Sequence, residues 1–320
     1  MRKSFLFQTL VVSMMILLTF SGYAEEKCEK DFITIAILAK DKAHSLDLYL
    51  ESLESQTWPK SQTYIYIRTN NNNDNTSEIL KKWVTKVKNQ YADIYFNGED
   101  VEQKVQEYNQ HEWNVVRFKV LGKIRQDSIE WAKKHNSHYF VVDCDNFIKP
   151  DTLEKIFQVH LPIVAPFLNW DDAKFYSNYH SEIDKNGYFQ SSPLYYQIYE
   201  RKVRGLIELP VVHCTYLIRK EVLDKISYDD NSNRYEYVIF SDVARKNNIP
   251  QYFDNRELYG RLTFAESQDE LLNEKWIHEF THLETGKKLL EAKNARDNSQ
   301  ETQADVNNAS STPTPVDSTP

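Results

Sequence analysis

The chain has 320 residues, of which seven are glycine and ten are proline, and these counts exclude a collagen-like or low-complexity architecture. Apolar residues make up 41% of the chain and aromatic residues 13%, which is enough to bury the core of one domain with appendages. The formal net charge is −8, and an acidic chain without a dense basic block is a poor partner for nucleic acid or anionic lipid.

Both ends of the chain differ in composition from the middle. A basic start, an apolar stretch and small residues up to Ala24 follow the order of a cleaved signal peptide over residues 1–24. The alternative is an uncleaved membrane anchor, for which the apolar run is short and interrupted by polar residues. We therefore expect export to a periplasm, the extracellular space or a secretory lumen, with membrane contact only through an uncleaved N-terminal segment. Residues 294–320 are polar and expected to be disordered, which leaves a single folded domain over residues 30–293.

Strand and helix patterns alternate within this domain. Apolar strand patterns occupy residues 32–38, 64–67, 94–96 and 139–142. Helical spacing of apolar residues lies between them, at Leu46, Leu50 and Leu53, from Ile79 to Val87, and from Leu121 to Ala132. Asn75 with Glu78 resembles an N-cap signature for the second helix. Further strands are expected within residues 162–168, 209–218 and 250–253. This alternation predicts an α/β fold with a largely parallel sheet flanked by helices.

The most informative chemical feature is Asp143-Cys144-Asp145, directly after the fourth predicted strand. Ligands bind beyond the carboxyl ends of strands in open α/β sheets. Residues two apart on a strand share a side, so both carboxylates can reach one ion. Mg²⁺ or Mn²⁺ prefers such oxygen ligands and commonly bridges a carboxylate to substrate phosphates. The alternative is a solvated turn, because Asp145 followed by Asn146 is also ordinary turn chemistry.

Collinear segments between residue 33 and about residue 265 resemble the amino-terminal glycosyltransferase domain of the procollagen galactosyltransferase and cerebral endothelial cell adhesion molecule family. They are residues 35–40, 43–46, 58–61, 74–80, 123–126, 143–147, 163–166, 176–178, 212–215 and 255–260. The family includes a relative regarded as catalytically silent, so membership alone does not establish activity.

The resemblance implies a Rossmann-like fold of the glycosyltransferase-A type, a nucleotide-sugar donor that is UDP-linked, and a divalent cation, Mn²⁺ or Mg²⁺. Asp143 and Asp145 would hold the cation, with His213 as a further metal contact. The residues that would bind the donor are Ala39, Lys40, Asn71, Asp74, Arg125 and Asp143. The alternatives are a helix cap for Asp74, a solvated helix residue for Arg125 and a buried core imidazole for His213.

An inverting transferase also needs a base that takes the proton from the acceptor hydroxyl. The family carries adjacent acidic residues before an apolar helix, where this chain has Glu236 followed by Tyr237. Glu236 is therefore the predicted base and Asp242 the second candidate, although an acid at a helix start also favours the helix dipole.

The acceptor, a protein or glycan hydroxyl, is expected against the polar, aromatic and irregular segment of residues 170–204. The predicted acceptor contacts in it are Trp170, Tyr176 and Asn178. The family's long members carry a second transferase domain, and we expect no counterpart of it within these 320 residues, so the sugar (galactose or glucose) and the acceptor stay open. Cys144 and Cys214 raise the hypothesis of paired thiols near the site.

Together these patterns predict a metal-dependent inverting glycosyltransferase that acts outside the cytosol. One alternative is a non-catalytic binding or adhesion module that retains the scaffold. Another is a metal-dependent phosphohydrolase, although such sites usually need more ligands than this segment supplies.

Overall fold

A computed structural model describes residues 31–102, 114–171 and 175–310. The predicted signal peptide over residues 1–24 and the end of the predicted disordered tail, residues 311–320, lie outside the described residues.

The strands follow the sequence patterns closely. They are β1 (Ile33–Ala39), β2 (Thr63–Thr69), β3 (Asp93–Asn97), β4 (His138–Val142), β5 (Asn146–Ile148), β6 (Ile163–Pro166), β7 (Leu168–Asn169), β8 (Tyr179–His180), β9 (Leu206–Glu208), β10 (Val211–Val212), β11 (Thr215–Ile218), β12 (Gln251–Asp254) and β13 (Gly260–Leu262). The first four predicted strands are confirmed. The expected strand over residues 209–218 is divided in two at His213 and Cys214, and Cys214 there adopts a left-handed backbone with a φ of 63°.

The helices lie between these strands. They are α1 (Ala43–Glu54), α2 (Thr76–Val87), α3 (Val115–Lys134), α4 (Thr152–Phe157), α5 (Pro193–Tyr199), α6 (Glu236–Lys246), α7 (Gln268–Leu272) and α8 (Glu284–Ser310). Short 3-10 turns occupy Lys60–Gln62, Lys220–Lys225 and Lys275–Phe280. α8 continues past Lys293 to Ser310, into the segment where disorder was expected. Asn75 occupies the N-cap position of α2, but its side chain makes no capping hydrogen bond, which corrects the predicted cap.

The main sheet has eight strands in the order β3-β2-β1-β4-β11-β6-β12-β9. β3, β2, β1 and β4 run parallel, and Ile33 of β1 lies opposite Thr63 of β2 and His138 of β4. β11 is antiparallel to both of its neighbours, and β9 is antiparallel to β12. Because β1 lies between β2 and β4, the strand order reverses there, and such a switch point opens a crevice at the carboxyl ends of the strands.

Both faces of this sheet are covered. All five residues of β4 are buried, as are all residues of β1 except the half-buried Leu38, and successive side chains on a strand point to opposite faces. α3 packs on β1, β2 and β4, whereas α1 contacts α2, β5 and α8. The predicted α/β fold with a largely parallel, helix-flanked sheet is confirmed. A smaller sheet, β5-β13-β7, lies beyond the carboxyl end of β4 and carries the residues just after the acidic pair.

No helix in the described ranges combines the length and the apolar character that crossing a lipid bilayer requires.

Candidate functional site

The turn after β4 holds Asp143 and Asp145 at the switch point of the sheet. The Asp143 N–H donates to the carbonyl of Cys214 (3.0 Å), and the Asp143 carbonyl accepts from the Asn146 N–H (2.9 Å). The Thr263 N–H, just after β13, donates to the Asp145 carbonyl (2.9 Å). These backbone bonds tie the turn to two neighbouring strands, so the carboxylates are held by the fold rather than by a free loop.

Two cavities meet at this turn. The larger has a volume of about 670 Å³ and the smaller about 240 Å³. They share a wall, hereafter the shared wall, made of Leu121, Arg125, Asp143, Asp145 and Phe264. A ligand in either cavity therefore touches the same acidic pair, which is the arrangement needed to bring two substrates to one reacting centre.

Arg125 connects the acidic pair to Glu236. Its Nη2 lies 2.8 Å from Asp143 Oδ1, and its Nε lies 3.5 Å from Glu236 Oε1. Arg125 and Glu236 are both buried, whereas a quarter of the Asp143 side chain is exposed. The structure therefore brings together the predicted donor residue, the predicted metal ligand and the predicted base.

Glu236 has the properties of a general base. Burial raises its pKa to about 7, with Arg125 opposing the rise and Asp143 adding to it. Its Oε2 is buried without a hydrogen-bond partner, and Glu236 lines the larger cavity. Burial likewise raises the pKa of Asp143, although Arg125 offsets part of that rise. A carboxylate that titrates near neutral pH, lines a cavity and has one oxygen without a hydrogen-bond partner is suited to accept a proton from a ligand there.

Gly122 explains why α3 and α6 approach closely enough for this pairing. A Cβ at this position would lie 3.2 Å from the carbonyl oxygen of Tyr228 and 3.4 Å from the Cβ of Glu236. Glycine costs about 1 kcal/mol relative to alanine inside a helix. Here it leaves room for the first turn of α6 to lie against α3, three residues before Arg125.

Lys42 pairs with the second aspartate. Its Nζ lies 3.0 Å from Asp145 Oδ2, and about a quarter of each side chain is exposed. Burial opposes protonation of Lys42, but the ion pair with Asp145 outweighs it and raises the pKa of the lysine. Lys42 was not among the predicted site residues, and the sequence signal for it, a lysine three residues beyond β1, is weak.

The carboxylate oxygens of Asp143 and Asp145 suit a Mg²⁺ or Mn²⁺ ion. Such an ion takes two protein carboxylates and completes its coordination shell with phosphate oxygens and water. Arg125 engages one oxygen of Asp143 and Lys42 one oxygen of Asp145. A cation would therefore use the remaining oxygens or displace Lys42. Within the ranges that the structure describes, no cluster of three or more His, Cys, Asp or Glu side chains forms a ready-made metal cage.

His213 lies on the larger cavity rather than in a cluster with the two aspartates. Its Nδ1 is 2.8 Å from the sulfur of Cys214. Burial lowers its pKa well below the usual 6.5, with further lowering from His180 and Arg125, so the imidazole is neutral at pH 7. A neutral imidazole remains able to bind a metal or to hydrogen-bond a ligand.

The predicted donor residues divide into two groups. Ala39, Lys40, Arg125 and Asp143 line the smaller cavity, whereas Asn71 and Asp74 do not.

Asp74 joins the starts of two helices. Its Oδ1 accepts from the Thr76 N–H (2.9 Å) and its Oδ2 from the Ala43 N–H (3.0 Å). The Asn71 N–H donates to Asp100, and its side-chain oxygen accepts from the Val101 N–H (3.1 Å). The two backbone bonds of the Asp74 carboxylate therefore fit the helix-cap alternative.

Of the predicted acceptor contacts, Tyr176 lines the larger cavity, and Trp170 and Asn178 do not. The indole of Trp170 donates to Glu274 (2.8 Å). Asn178 is fully buried, and its side chain bonds the backbone of Pro166, Leu168 and Thr215. Its role in the structure is to join neighbouring strands.

Asp242, the second candidate base, lines neither of the two cavities. Its carboxylate lies 2.7 Å from Arg234 Nη2 and 2.9 Å from Lys246 Nζ. Burial opposes ionisation of Asp242, but these partners outweigh it and lower the pKa, which is the wrong direction for a proton acceptor.

The hypothesis of paired thiols is wrong. Cys144 and Cys214 are both free. Cys144 lines the smaller cavity and Cys214 the larger one. Burial raises the pKa of both thiols, so neither is activated as a nucleophile.

Sequence reasoning also missed most of the cavity walls. The smaller cavity carries Lys42, Arg68 and Arg117, which come from three separate segments. The larger cavity is lined mainly by aromatic side chains, namely Phe118, Phe175, Tyr176, Tyr179, Phe189, Tyr195, Tyr196, Tyr235, Tyr237 and Phe264. Six of these ten fall within residues 170–204, the segment whose composition indicates a substrate site, and Tyr176 is the one among them that the sequence analysis names as a contact.

Comparison with known proteins gives consistent results at the level of sequence. The model of the glycosyltransferase family 25 amino-terminal domain matches residues 30–284. Human procollagen galactosyltransferase 2 is 32% identical over 272 residues, covering 82% of this chain and 43% of that protein. Human inactive glycosyltransferase 25 family member 3 is 28% identical over 262 residues, covering 78% of this chain and 43% of that protein. The chain thus spans about two fifths of the length of these relatives.

Among solved structures, TarS of S. aureus in complex with UDP-GlcNAc superposes with a TM-score of 0.49 at 14% identity, covering 73% of this chain and 59% of that one. The family match covers the whole of the main sheet, both cavities, the acidic pair and Glu236. The chain therefore belongs to glycosyltransferase family 25.

Proposed function

We propose that this protein is a metal-assisted, inverting glycosyltransferase that moves a hexose, galactose or glucose, from a UDP-sugar to a protein or glycan hydroxyl. The observation that carries the proposal is the shared wall. Asp143 and Asp145 face both cavities, and Glu236, with a pKa of about 7, lines only the larger one. This geometry supports a donor in the smaller cavity and an acceptor in the larger.

The charge of the smaller cavity supports an anionic donor. Five cationic side chains line it against four carboxylates, those of Asp41, Asp143, Asp145 and Glu266, so cations exceed anions by one there in a chain whose net charge is −8. The cationic side chains are Lys40, Lys42, Arg68, Arg117 and Arg125. A local excess of cations in an acidic protein attracts a diphosphate and stabilises the negative charge that grows on it as the sugar leaves.

Asp143 and Asp145 would hold Mg²⁺ or Mn²⁺, which when bound neutralises charge on the departing diphosphate. Arg125 orients Asp143 through the 2.8 Å ion pair, and Lys42 can turn from Asp145 toward phosphate oxygens because both line the same cavity. Each of these side chains therefore binds or orients the leaving group rather than the acceptor.

Glu236 acts on the acceptor side. As the acceptor oxygen forms its bond to the anomeric carbon, the bond from that carbon to the diphosphate breaks and UDP leaves with the electron pair. The hydroxyl proton passes to Glu236 Oε2, the oxygen without a partner. Attack by the acceptor from the side opposite the leaving diphosphate inverts the anomeric configuration.

The second candidate function is a non-catalytic scaffold, since relatives named inactive also match this chain. The buried Glu236 with its free oxygen favours the enzyme, because an unpaired carboxylate is costly to keep in a protein that does not use it. We propose that the protein works outside the cytosol, as the predicted signal peptide over residues 1–24 indicates.

The test is a thermal-shift screen of UDP and UDP-sugars with and without Mn²⁺, followed by measurement of UDP release with candidate acceptors. A ligand that binds the native state raises its Tm, and we expect UDP with Mn²⁺ to do so in the wild type and much less in Asp145→Asn. Asp224→Asn, at an aspartate whose side chain is 91% exposed and outside both cavities, is the matched control. No stabilisation of the wild type by any nucleotide would refute the donor site. Nucleotide binding without transfer would favour the scaffold.

A further inference from the structure

The outer part of the larger cavity carries a cluster of exposed aromatic rings, hereafter the aromatic rim. Its members are Phe175, Tyr176, Phe189 and Tyr196, with exposed fractions of 39%, 36%, 47% and 43%. They make up half of the eight large apolar side chains that are exposed in the described residues. Exposed apolar groups gathered at one place mark a binding site, whereas single ones are ordinary.

The rim is held in place by other rings. Phe175 packs edge-on against Tyr196 at 5.6 Å between centroids, and Tyr176 packs in the same way against Phe264 at 4.8 Å. The ring of Phe189 lies 5.3 Å from that of His180, in an edge-on contact. Such contacts fix the orientation of the rings, so the rim presents preformed flat faces to a ligand.

Among the described residues that line this end of the cavity, none carries a charged side chain. The ionised side chains in the lining, Arg125, Asp143, Asp145 and Glu236, belong to the shared wall or lie next to it. His180 is neutral at pH 7, because burial lowers its pKa to about 4. Among the described lining residues, the rim therefore offers no carboxylate to receive an ammonium group, and a neutral ligand fits it best.

One polar atom indicates that this neutral ligand carries hydrogen-bonding groups. Only 7% of the His180 surface is exposed, and its Nδ1 has no hydrogen-bond partner in the structure. His180 lines the cavity beside Phe189. A buried polar atom left without a partner is costly, so a ligand group that bonds it contributes affinity. A purely apolar ligand would leave that cost in place.

We propose that the aromatic rim and His180 form an acceptor subsite for a neutral pyranose saccharide. The apolar C–H face of the sugar lies on the rings, and one hydroxyl bonds His180 Nδ1. The cavity volume of about 670 Å³ falls in the range of small-ligand sites. This inference rests on the proposed function for the identity of the reaction, but the saccharide subsite itself can be tested without any transfer.

The experiment is saturation-transfer NMR and calorimetry on the full protein, with and without UDP. The ligands are lactose, maltose and two peptides, of which one contains hydroxylysine and the other is rich in proline. We expect at least one disaccharide to bind, with transfer of magnetic saturation from the protein to its ring protons. Phe189→Ala should raise its Kd about three- to tenfold, the size of one aromatic contact. His180→Phe, which keeps a ring but removes the nitrogen, should weaken binding similarly. Tyr95→Ala, at a ring with 37% exposure outside the larger cavity, is the control and should not change the Kd.

Preference for either peptide over both disaccharides, or equal affinity in Phe189→Ala and wild type, would overturn the saccharide subsite even if UDP binds. Saccharide binding in a protein that binds no nucleotide would uphold the subsite and refute the transferase. If a variant fails to fold, loss of its thermal transition shows this, and the remaining rim variant, Tyr196→Ala, decides the result.

Discussion

The pH dependence of the proposed transfer follows from the environment of Glu236. A base acts in its ionised form, and with a pKa of about 7 Glu236 is about 90% ionised at pH 8 and about 10% at pH 6. We therefore expect kcat/KM, measured by UDP release, to fall about tenfold between pH 8 and pH 6. Glu236→Gln should lower it by about 10²–10⁴ at pH 8, which is the size of a general-base contribution.

The same pKa predicts an effect on stability. Relative to 4.5 in the unfolded chain, a pKa of about 7 means that the folded protein holds the proton more tightly. Stability therefore falls as pH rises between these two values, and the shifted pKa lowers the free energy of unfolding by about 1 kcal/mol at pH 5 and about 3 kcal/mol at pH 8. Glu236→Gln removes that cost, so the variant should be more stable than the wild type, with a Tm difference that grows from pH 5 to pH 8.

Asp242→Asn is the matched control on the same helix. Arg234 and Lys246 help to lower the pKa of Asp242, so its stabilising effect is present above the unfolded value of 3.8 and is lost as pH falls through its folded pKa. The variant should thus be less stable than the wild type at pH 8 and keep the wild-type pH profile of kcat/KM. A flat profile between pH 6 and pH 8 in the wild type, or substantial transfer by Glu236→Gln, would refute the assignment of Glu236 as the base.

Three further predictions concern the neighbouring residues. Lys42→Met frees Asp145, so Mn²⁺ alone should bind up to about fivefold more tightly by calorimetry, and weaker binding would show that Lys42 does not compete. Asp74→Ala removes bonds to two helix starts, so it should lower the free energy of unfolding in denaturant by about 1–2 kcal/mol and leave the Kd for UDP unchanged. A large loss of UDP affinity would instead support Asp74 as a donor-binding residue. Asn178→Ala leaves buried backbone groups unpaired and should lower the free energy of unfolding by about 3 kcal/mol. An unchanged Tm would contradict the structural role of Asn178.

The elements that could be predicted from the sequence are those with a strong local pattern. The apolar runs of β1 and β4 are buried on both faces, so their composition alone identified them, and the acidic pair followed from its position after β4. Glu236 and Arg125 came from the family resemblance rather than from any spacing between them, since 111 positions separate them along the chain.

The parts that could not be predicted depend on packing between distant segments. Nothing in the neighbourhood of Lys42 shows that its ammonium reaches Asp145, because the two residues lie 103 positions apart. Asp74 lies in a segment that matches the family, yet its carboxylate is taken up by backbone amides of two helices. The aromatic lining of the larger cavity likewise comes from several separate segments, and apart from Tyr176 the sequence does not distinguish its rings from core residues.

Arg125 gives the two halves of the centre a common electrostatic connection. One guanidinium contacts Asp143 on the proposed donor side and Glu236 on the proposed acceptor side, so any charge that arrives beside Asp143 alters how strongly Arg125 holds the ionised form of Glu236. Nucleotide binding beside Asp143 should then be accompanied by uptake or release of protons at Glu236.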